Sequence, residues 1–312
     1  MSAYPEVPGP DPDADPLLAQ LLLQLRERHH QAICCALLYG SCLRSGDICD
    51  GLLDVYLICD SYRCAYRRAL PAAANWLLPP NVYYAEVEAG SRTLRSKVTV
   101  ISLGDFRRGC SPAWFESYIW GRFAQPTRIV YSRDTATRER VAQALLQAAH
   151  TLLTRAVPAL PARGAVTELW QRALALSYAT ELRTERSARA AELARSSADF
   201  YAALTRHCAG TLNFPFAVYA EDGQLCYASQ CSPVRRRWCT LAWGLRRAQG
   251  KLLSVARLLK GLFTFSGGLD YVAWKLERHT GEPVVIPARV RRAPLLFLWG
   301  FFWKLYRRGL FK

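Results

Sequence analysis

Leu37-Leu38-Tyr39-Gly40-Ser41-Cys42-Leu43-Arg44-Ser45-Gly46, followed by Leu52-Leu53-Asp54-Val55-Tyr56-Leu57-Ile58, is the stretch on which the reading of this chain turns. An apolar run enters a Gly-Ser turn. A loop rich in Gly, Asp and Ser follows, and a second apolar run then carries one aspartate. Glycine lets a backbone approach a phosphate closely, and a serine hydroxyl with free N–H groups can bind its oxygens. An aspartate inside a strand is rigidly placed and can hold a magnesium ion against a triphosphate. An ordinary turn before a strand-end aspartate has the same pattern, so the surrounding chain must decide.

Working outward, Leu17 to about Ala36 predicts a helix, with apolar residues at Leu18, Leu21, Leu22 and Leu25 and charges at Arg26, Glu27 and Arg28. His29 and His30 read as a solvated helix end rather than metal ligands. Cys35–Tyr39 is a short strand into the turn, and Leu53–Cys59 is a second. Tyr62–Leu78 is a helix that stops at Pro79-Pro80. Val82–Glu88 and Arg95–Ser102 alternate as strands about the turn Ala89-Gly90-Ser91. Strand periodicity puts Glu86 and Glu88 on one face, while Lys97, Thr99 and Ile101 share another. Asp105–Phe123 is helical, with Pro112 placed to open a second helix after Ser111, and Thr127–Tyr131 is a further strand. Strands linked by helices in this order give an α/β fold. From Thr135 the pattern is helical, over roughly 135–156, 166–182, 188–209, 235–262 and 269–278. Between them, 211–232 is expected to be irregular around Phe214-Pro215-Phe216 and Glu221-Asp222-Gly223.

With 312 residues and 51% hydrophobic content, a sizeable core and about two domains are expected. The 11 Cys are scattered without zinc-site spacing. Their odd number, and the lack of a signal peptide, predict a reduced, cytosolic compartment. The first 16 residues, rich in Pro and Asp, read as a disordered leader. Charge is unevenly placed. Residues 235–312 hold 17 Lys plus Arg and 3 Asp plus Glu, whereas the first 234 hold 24 and 22. A cationic quarter on a nearly neutral body implies a polyanionic partner, nucleic acid or an anionic membrane, or else a solvated Arg-rich surface.

The stretch Ala293–Lys312 differs from the rest. Leu295-Leu296-Phe297-Leu298-Trp299-Gly300-Phe301-Phe302-Trp303 is apolar on all sides, between Arg289, Arg291 and Arg292 before it and Lys304, Arg307, Arg308 and Lys312 after it. The run is too short to span a bilayer. Tryptophan flanked by Lys and Arg suits a helix lying in the headgroup region; a buried C-terminal core helix is the alternative.

The Gly-Ser turn before an Asp-bearing strand is built as in nucleotidyltransferases of the polymerase-beta type. The chain further resembles the mitochondrial-type phosphatidate cytidylyltransferases, the family first named for translocator assembly and maintenance. The resemblance runs through Tyr39-Gly40-Ser41, Asp54-Val55-Tyr56-Leu57, Val82-Tyr83-Tyr84 and Lys97-Val98-Thr99-Val100-Ile101. It continues in Trp114 to Ile129, Leu176 to Arg183 and Lys260-Gly261-Leu262. Gln125 stands where the family usually has Lys, and Glu185-Arg186-Ser187-Ala188-Arg189 departs from its acidic-Lys element. The resemblance implies transfer of CMP from CTP to phosphatidate with magnesium, giving CDP-diacylglycerol (a cardiolipin precursor) and pyrophosphate. It also implies a nucleotidyltransferase domain at 17–134, a helical domain at 135–280 and a membrane-binding tail at 281–312. Attachment would be peripheral, at the cytoplasmic face of the membrane, with no nucleic acid bound.

On this reading Asp54 is the metal ligand, Tyr39, Gly40 and Ser41 cradle CTP, and Lys97 and Arg122 neutralise phosphate charge. Tyr56 occupies the place of a second acid. Glu86 and Glu88 are the expected substitutes as metal ligands, with Asp47 and Asp50 as alternatives. Lys97 alone would equally suit an edge-strand gatekeeper, and Arg122 a helix-end charge. Arg183 either holds the lipid phosphate or pairs with Glu181 or Glu185 on its own helix, and Tyr118 and Trp120 either stack on cytosine or pack in the core. Two other readings stay open: a nucleic-acid acceptor, and a membrane module whose nucleotide site has decayed.

Overall fold

The computed structural model describes residues 4–40, 43, 47–49, 51–90, 92–181, 187–264, 287–292 and 300. Ser41, Asp50, Arg183, the helix expected at 269–278 and the 293–312 tail apart from Gly300 lie outside the described residues.

Helix α1 (Pro16–Arg28) starts behind Asp15, whose carboxylate accepts from the backbone N–H of Leu17 at 3.0 Å and Leu18 at 3.3 Å. It ends well before Ala36, because His30 and Gln31 take positive φ and turn the chain into β1 (Ile33–Tyr39). β1 pairs antiparallel with β2 (Leu53–Cys59), which leads through α2 (Tyr62–Tyr66) and α3 (Ala69–Leu77) to β3 (Asn81–Ala89). The one helix expected over 62–78 is two, since Arg67 adopts φ 50° between them. β4 (Arg92–Ser102) pairs antiparallel with β3 and parallel with β2. Then come α4 (Leu103–Cys110), α5 (Trp120–Phe123) and β5 (Thr127–Ser132), giving the sheet order β3-β4-β2-β1-β5. The helix expected over Asp105–Phe123 is interrupted between α4 and α5. There Arg155 donates to the carbonyls of Pro112, Trp114 and Phe115, replacing the hydrogen bonds a helix would make.

The sheet is covered on both faces. Leu38, Val55, Leu57, Val98 and Val100 pack toward α1, α2 and α3. Leu37, Tyr56, Ile58 and Ile101 pack toward α4, α5 and α6 (Thr135–Ala156). This second core continues without a break into α7 (Val166–Tyr178), α8 (Ser187–Ser196) and α9 (Ala198–Ala209), so the division expected at residue 134 falls inside one apolar core. The 211–232 stretch is not irregular. β7 (Phe216–Glu221) and β8 (Gln224–Ser229) form a hairpin about Asp222-Gly223, both at positive φ, and β6 (Arg163–Ala165) joins it in the order β6-β8-β7. The long α10 (Pro233–Thr264) and the short α11 (Ala288–Arg292) complete the described elements. Among these, no helix is long and apolar enough to cross a membrane.

Residues 4–15 also depart from expectation. Instead of a disordered leader, this segment lies on the body: Tyr4 Oη accepts from Thr127 N–H at 3.2 Å, and Arg128 donates to the Val7 carbonyl and Asp11 carboxylate, both at 2.9 Å. Burial of Val7 and the edge-on contact of Tyr4 with Phe200 add apolar area that a free leader would lack.

His29 is not a solvated helix end. It is buried, with Nδ1 at 3.1 Å from the Ala65 carbonyl and Nε2 at 2.8 Å from Tyr83 Oη. A carbonyl only accepts, so Nδ1 carries the proton and Nε2 accepts from the tyrosine. Burial, with Arg28 nearby, lowers its pKa from 6.5 to about 4. The unfolded chain therefore binds more protons between these values, and the stability that neutral His29 confers is present above pH 6.5 and lost as pH falls toward 4. The expected loss is roughly 3 kcal/mol. Urea unfolding across this range will show it, and the His29→Gln variant will show a markedly shallower fall.

Candidate active site

The strand registers place five side chains in one row across the sheet: Tyr84, Lys97, Asp54, Tyr39 and Thr127. Residues directly opposite in a sheet point to the same face, so the turn, the aspartate and the lysine expected to act together are neighbours. Lys97 Nζ lies 3.9 Å from Asp54 Oδ1, and Tyr39 Oη donates to the same oxygen at 3.3 Å. The edge-strand reading of Lys97 does not apply, because β4 is paired on both sides.

Gly40 has φ 93°, and a Cβ there would lie 2.8 Å from Asp54 Oδ2. The turn glycine is therefore needed twice: for its backbone angle and for the space the carboxylate fills. Sequence reasoning gave it to phosphate approach; the structure puts Asp54 against it. Ser41, the next residue, lies outside the described residues.

Arg122 differs from its expected role. Its side chain is only 5% exposed. Nη1 donates to Tyr39 Oη at 3.1 Å, Nη2 meets Glu181 Oε2 at 3.5 Å, and the guanidinium rests 4.3 Å from the centroid of Tyr118. Burial works against its charge, but Tyr118, Tyr39 and Glu181 more than offset that and raise its pKa further. So Arg122 holds Tyr39, which holds Asp54; it does not itself face open phosphate. The close fit behind it is set by Gly121, where a Cβ would come within 2.7 Å of Ser177 Cβ on α7.

Glu86 and Glu88 do not join Asp54. They share its face of the sheet, but Glu86 lies two strands across and two residues along from the aspartate, about 10 Å and ~7 Å respectively. Metal oxygens must all come within about 2.1 Å of a magnesium ion. Glu86 accepts instead from Tyr84 Oη at 2.6 Å and lies 3.9 Å from Arg95, while Glu88 is exposed farther along β3. Of the loop alternatives, Asp47 accepts from the Cys49 N–H at 2.8 Å. Among the described residues, no group of three or more His, Cys, Asp or Glu is arranged to hold a metal. Magnesium carried by a triphosphate needs only one or two protein carboxylates, and Asp54, partly exposed at the mouth of the row, fits as that one.

Behind the row, Tyr56 is fully buried against Phe123, with ring centroids 4.8 Å apart, and its hydroxyl finds no hydrogen-bond partner among the described residues. Trp120 packs against Trp243 in the core and is not available to a base. Sequence reasoning missed the pair that braces Tyr118. Arg257 of α10 donates to both carboxylate oxygens of buried Glu116, at 2.5 and 2.8 Å, and stacks 4.1 Å from the centroid of the same tyrosine. Lys260, noted only through its resemblance, donates to the carbonyls of Leu78 and Pro80, and burial lowers its pKa to about 7. The partners of Arg257 and Lys260 lie so far off in sequence that no spacing signals them.

No protein-family model matches the sequence, and no curated protein matches it. Among solved structures, a nucleotidyltransferase-like protein from Exiguobacterium sibiricum is similar over 95% of this chain and 92% of its own, at 10% identity and a TM-score of 0.27. A superposition that loose decides nothing about the fold or the site.

The Gly40 contact is testable by itself. Gly40→Ala should cost about 1–3 kcal/mol in denaturant unfolding, from backbone strain and displacement of Asp54. Gly210→Ala, where a Cβ meets open space at φ −78°, should stay within about 0.5 kcal/mol or stabilise slightly.

Proposed function

We propose that the chain is a nucleotidyltransferase that moves CMP from CTP to phosphatidate at an anionic membrane. The observation that carries this reading is the row Tyr39-Asp54-Lys97 beside Gly40, with Asp54 held in place by a buried arginine through Tyr39. An oxygen of the phosphatidate phosphate attacks the α-phosphorus of CTP. The new P–O bond forms as the bond to the β-phosphate oxygen breaks, and pyrophosphate leaves with the electron pair. The attacking phosphate is already ionised at neutral pH, so no strong base is needed. Charge is the larger obstacle, since one anion must approach another.

Lys97, more than a third exposed, supplies a cation at the open end of the row. Asp54 would hold the magnesium that accompanies the triphosphate, and that ion would screen the phosphate oxygens. Arg122 is a positioning residue: it fixes the Tyr39 hydroxyl, which fixes one oxygen of Asp54. Ser41 would add a hydroxyl to the triphosphate cradle, and the Ala293–Lys312 segment would lie along the membrane and bring the site to its lipid.

One observation favours a second reading, a site that binds nucleotide without turnover: Tyr56 occupies the place where a second carboxylate is expected. The two readings separate in one assay, with labelled CTP, magnesium and phosphatidate in mixed micelles. Formation of CDP-diacylglycerol supports transfer; CTP binding without product supports the decayed site. In the first case Asp54→Asn should lower turnover at least a thousandfold, equivalent to the several kcal/mol a metal-binding charge supplies, without loss of fold. Lys97→Ala and Ser41→Ala should each impair turnover or CTP binding. A folded Asp54→Asn protein with near-normal activity would remove the aspartate from the site.

A further inference from the structure

Helix α10 has two unlike faces. Its inner face holds it to the body: Arg236 donates to the Leu160 carbonyl at 2.6 Å, Trp243 Nε1 to the Arg155 carbonyl at 2.8 Å, and Arg246 to the Phe115 carbonyl at 2.9 Å. Gly250 allows close approach to Thr180, for a Cβ there would lie 2.6 Å from the Thr180 oxygen. The outer face carries Val234, Trp238, Leu241, Leu245, Leu252 and Val255, every one at least 45% exposed and Trp238 69%. At 3.6 residues per turn these six fall within an arc of about 100°. Six large apolar side chains exposed in one strip differ from the scattered single ones that need no partner. Arg237, Arg247 and Lys251 are exposed along the helix beside it.

Charge identifies the occupant. From Pro233 to Thr264 there are eight Lys or Arg and not one Asp or Glu. A second copy docking its own α10 along this seam would set cations beside cations, with no acidic side chain on the facing helix to pair them. The chain's own C-terminal segment is also strongly basic, with nine Lys or Arg against three Asp or Glu after Thr264. We infer that the outer face of α10 docks on the surface of an anionic lipid bilayer, its apolar seam entering the headgroup boundary and Arg237, Arg247 and Lys251 meeting lipid phosphates. This rests on exposed side chains of α10 and does not depend on nucleotidyl transfer.

The test uses the full chain with phosphatidylcholine vesicles, with and without phosphatidylglycerol. Hydroxyl-radical footprinting should find Trp238 and Leu241 reactive in the free protein and protected on the anionic vesicles. In flotation, Trp238→Ser/Leu241→Ser/Leu245→Ser should bind anionic vesicles about tenfold more weakly or worse. Arg237→Gln/Arg247→Gln/Lys251→Gln should lose most of the preference for anionic over neutral vesicles, as should the unsubstituted chain at high salt. Protection of the seam before vesicles are added would mean that a second copy or the C-terminal segment covers it, and would overturn the inference. So would unchanged binding by the folded α10 variants while Trp299→Ser/Phe302→Ser alone abolishes it. The footprint on the unsubstituted protein decides the matter even where a triple variant fails to fold.

Discussion

A guanidinium buried in the middle of a protein must be paired, and Arg122 imposes that demand on this one. Its partners come from three separate parts of the chain: the Tyr39 hydroxyl at the end of β1, the Tyr118 ring before α5, and the Glu181 carboxylate beyond α7. Taking one partner from a buried pair of this kind usually costs 3–5 kcal/mol, because the remaining charge is stranded. The sheet, the α4–α5 connection and α7 are thereby fixed to one another at a single point. The same contact sets the site, since the Tyr39 hydroxyl that serves Arg122 also reaches Asp54. Stability and site geometry are here one network, so substitutions in it will move both together.

A gradient runs from the row to the arginine behind it. Lys97 and Asp54 are partly open to solvent, whereas Arg122 is nearly dry. Water screens the open end, where a cation can exchange partners with an incoming anion at low cost. At the buried end screening is weak, and an exchange of partners would be expensive. The exposed lysine is therefore suited to meeting ligand charge and the buried arginine to holding geometry. Sequence reasoning treated both as phosphate-facing cations because residue type alone does not report depth.

What the sequence made legible was local. The strands around Asp54 were readable from their apolar runs, and the set that Lys97 points with from period-two alternation; the pairing that put Lys97 beside Asp54 was not, because register and strand order depend on distant partners. Glu86 and Glu88 show the gap. Period-two alternation grouped them with each other but set them apart from Lys97, whereas the register puts them on its face, with a whole strand between them and Asp54. The β7–β8 hairpin is a different case: Asp222-Gly223 is a strong two-residue turn signal and was legible as a turn, but the strand-forming residues on either side of it were not joined to it as a hairpin. The break at Arg67 had no such signal, since an arginine at φ 50° is a conformation that only packing selects.

α10 joins the basic surface to the site in physical terms. Eight cations on one helix without an acid would repel one another if all were solvated on the same side. The helix resolves this by turning Arg235, Arg236, Arg246, Arg257 and Lys260 onto carbonyl oxygens and Glu116, and leaving Arg237, Arg247 and Lys251 outside. Arg257 rests on the ring of Tyr118, the ring on which Arg122 also rests. The helix that exposes the apolar seam is thus one stacked tyrosine away from the arginine that positions Tyr39 and Asp54. Any force that lifted α10 from the body would have to break the Arg257–Glu116 pair, and would uncover Tyr118 from that side. Keeping this helix seated is part of what keeps Asp54 in place.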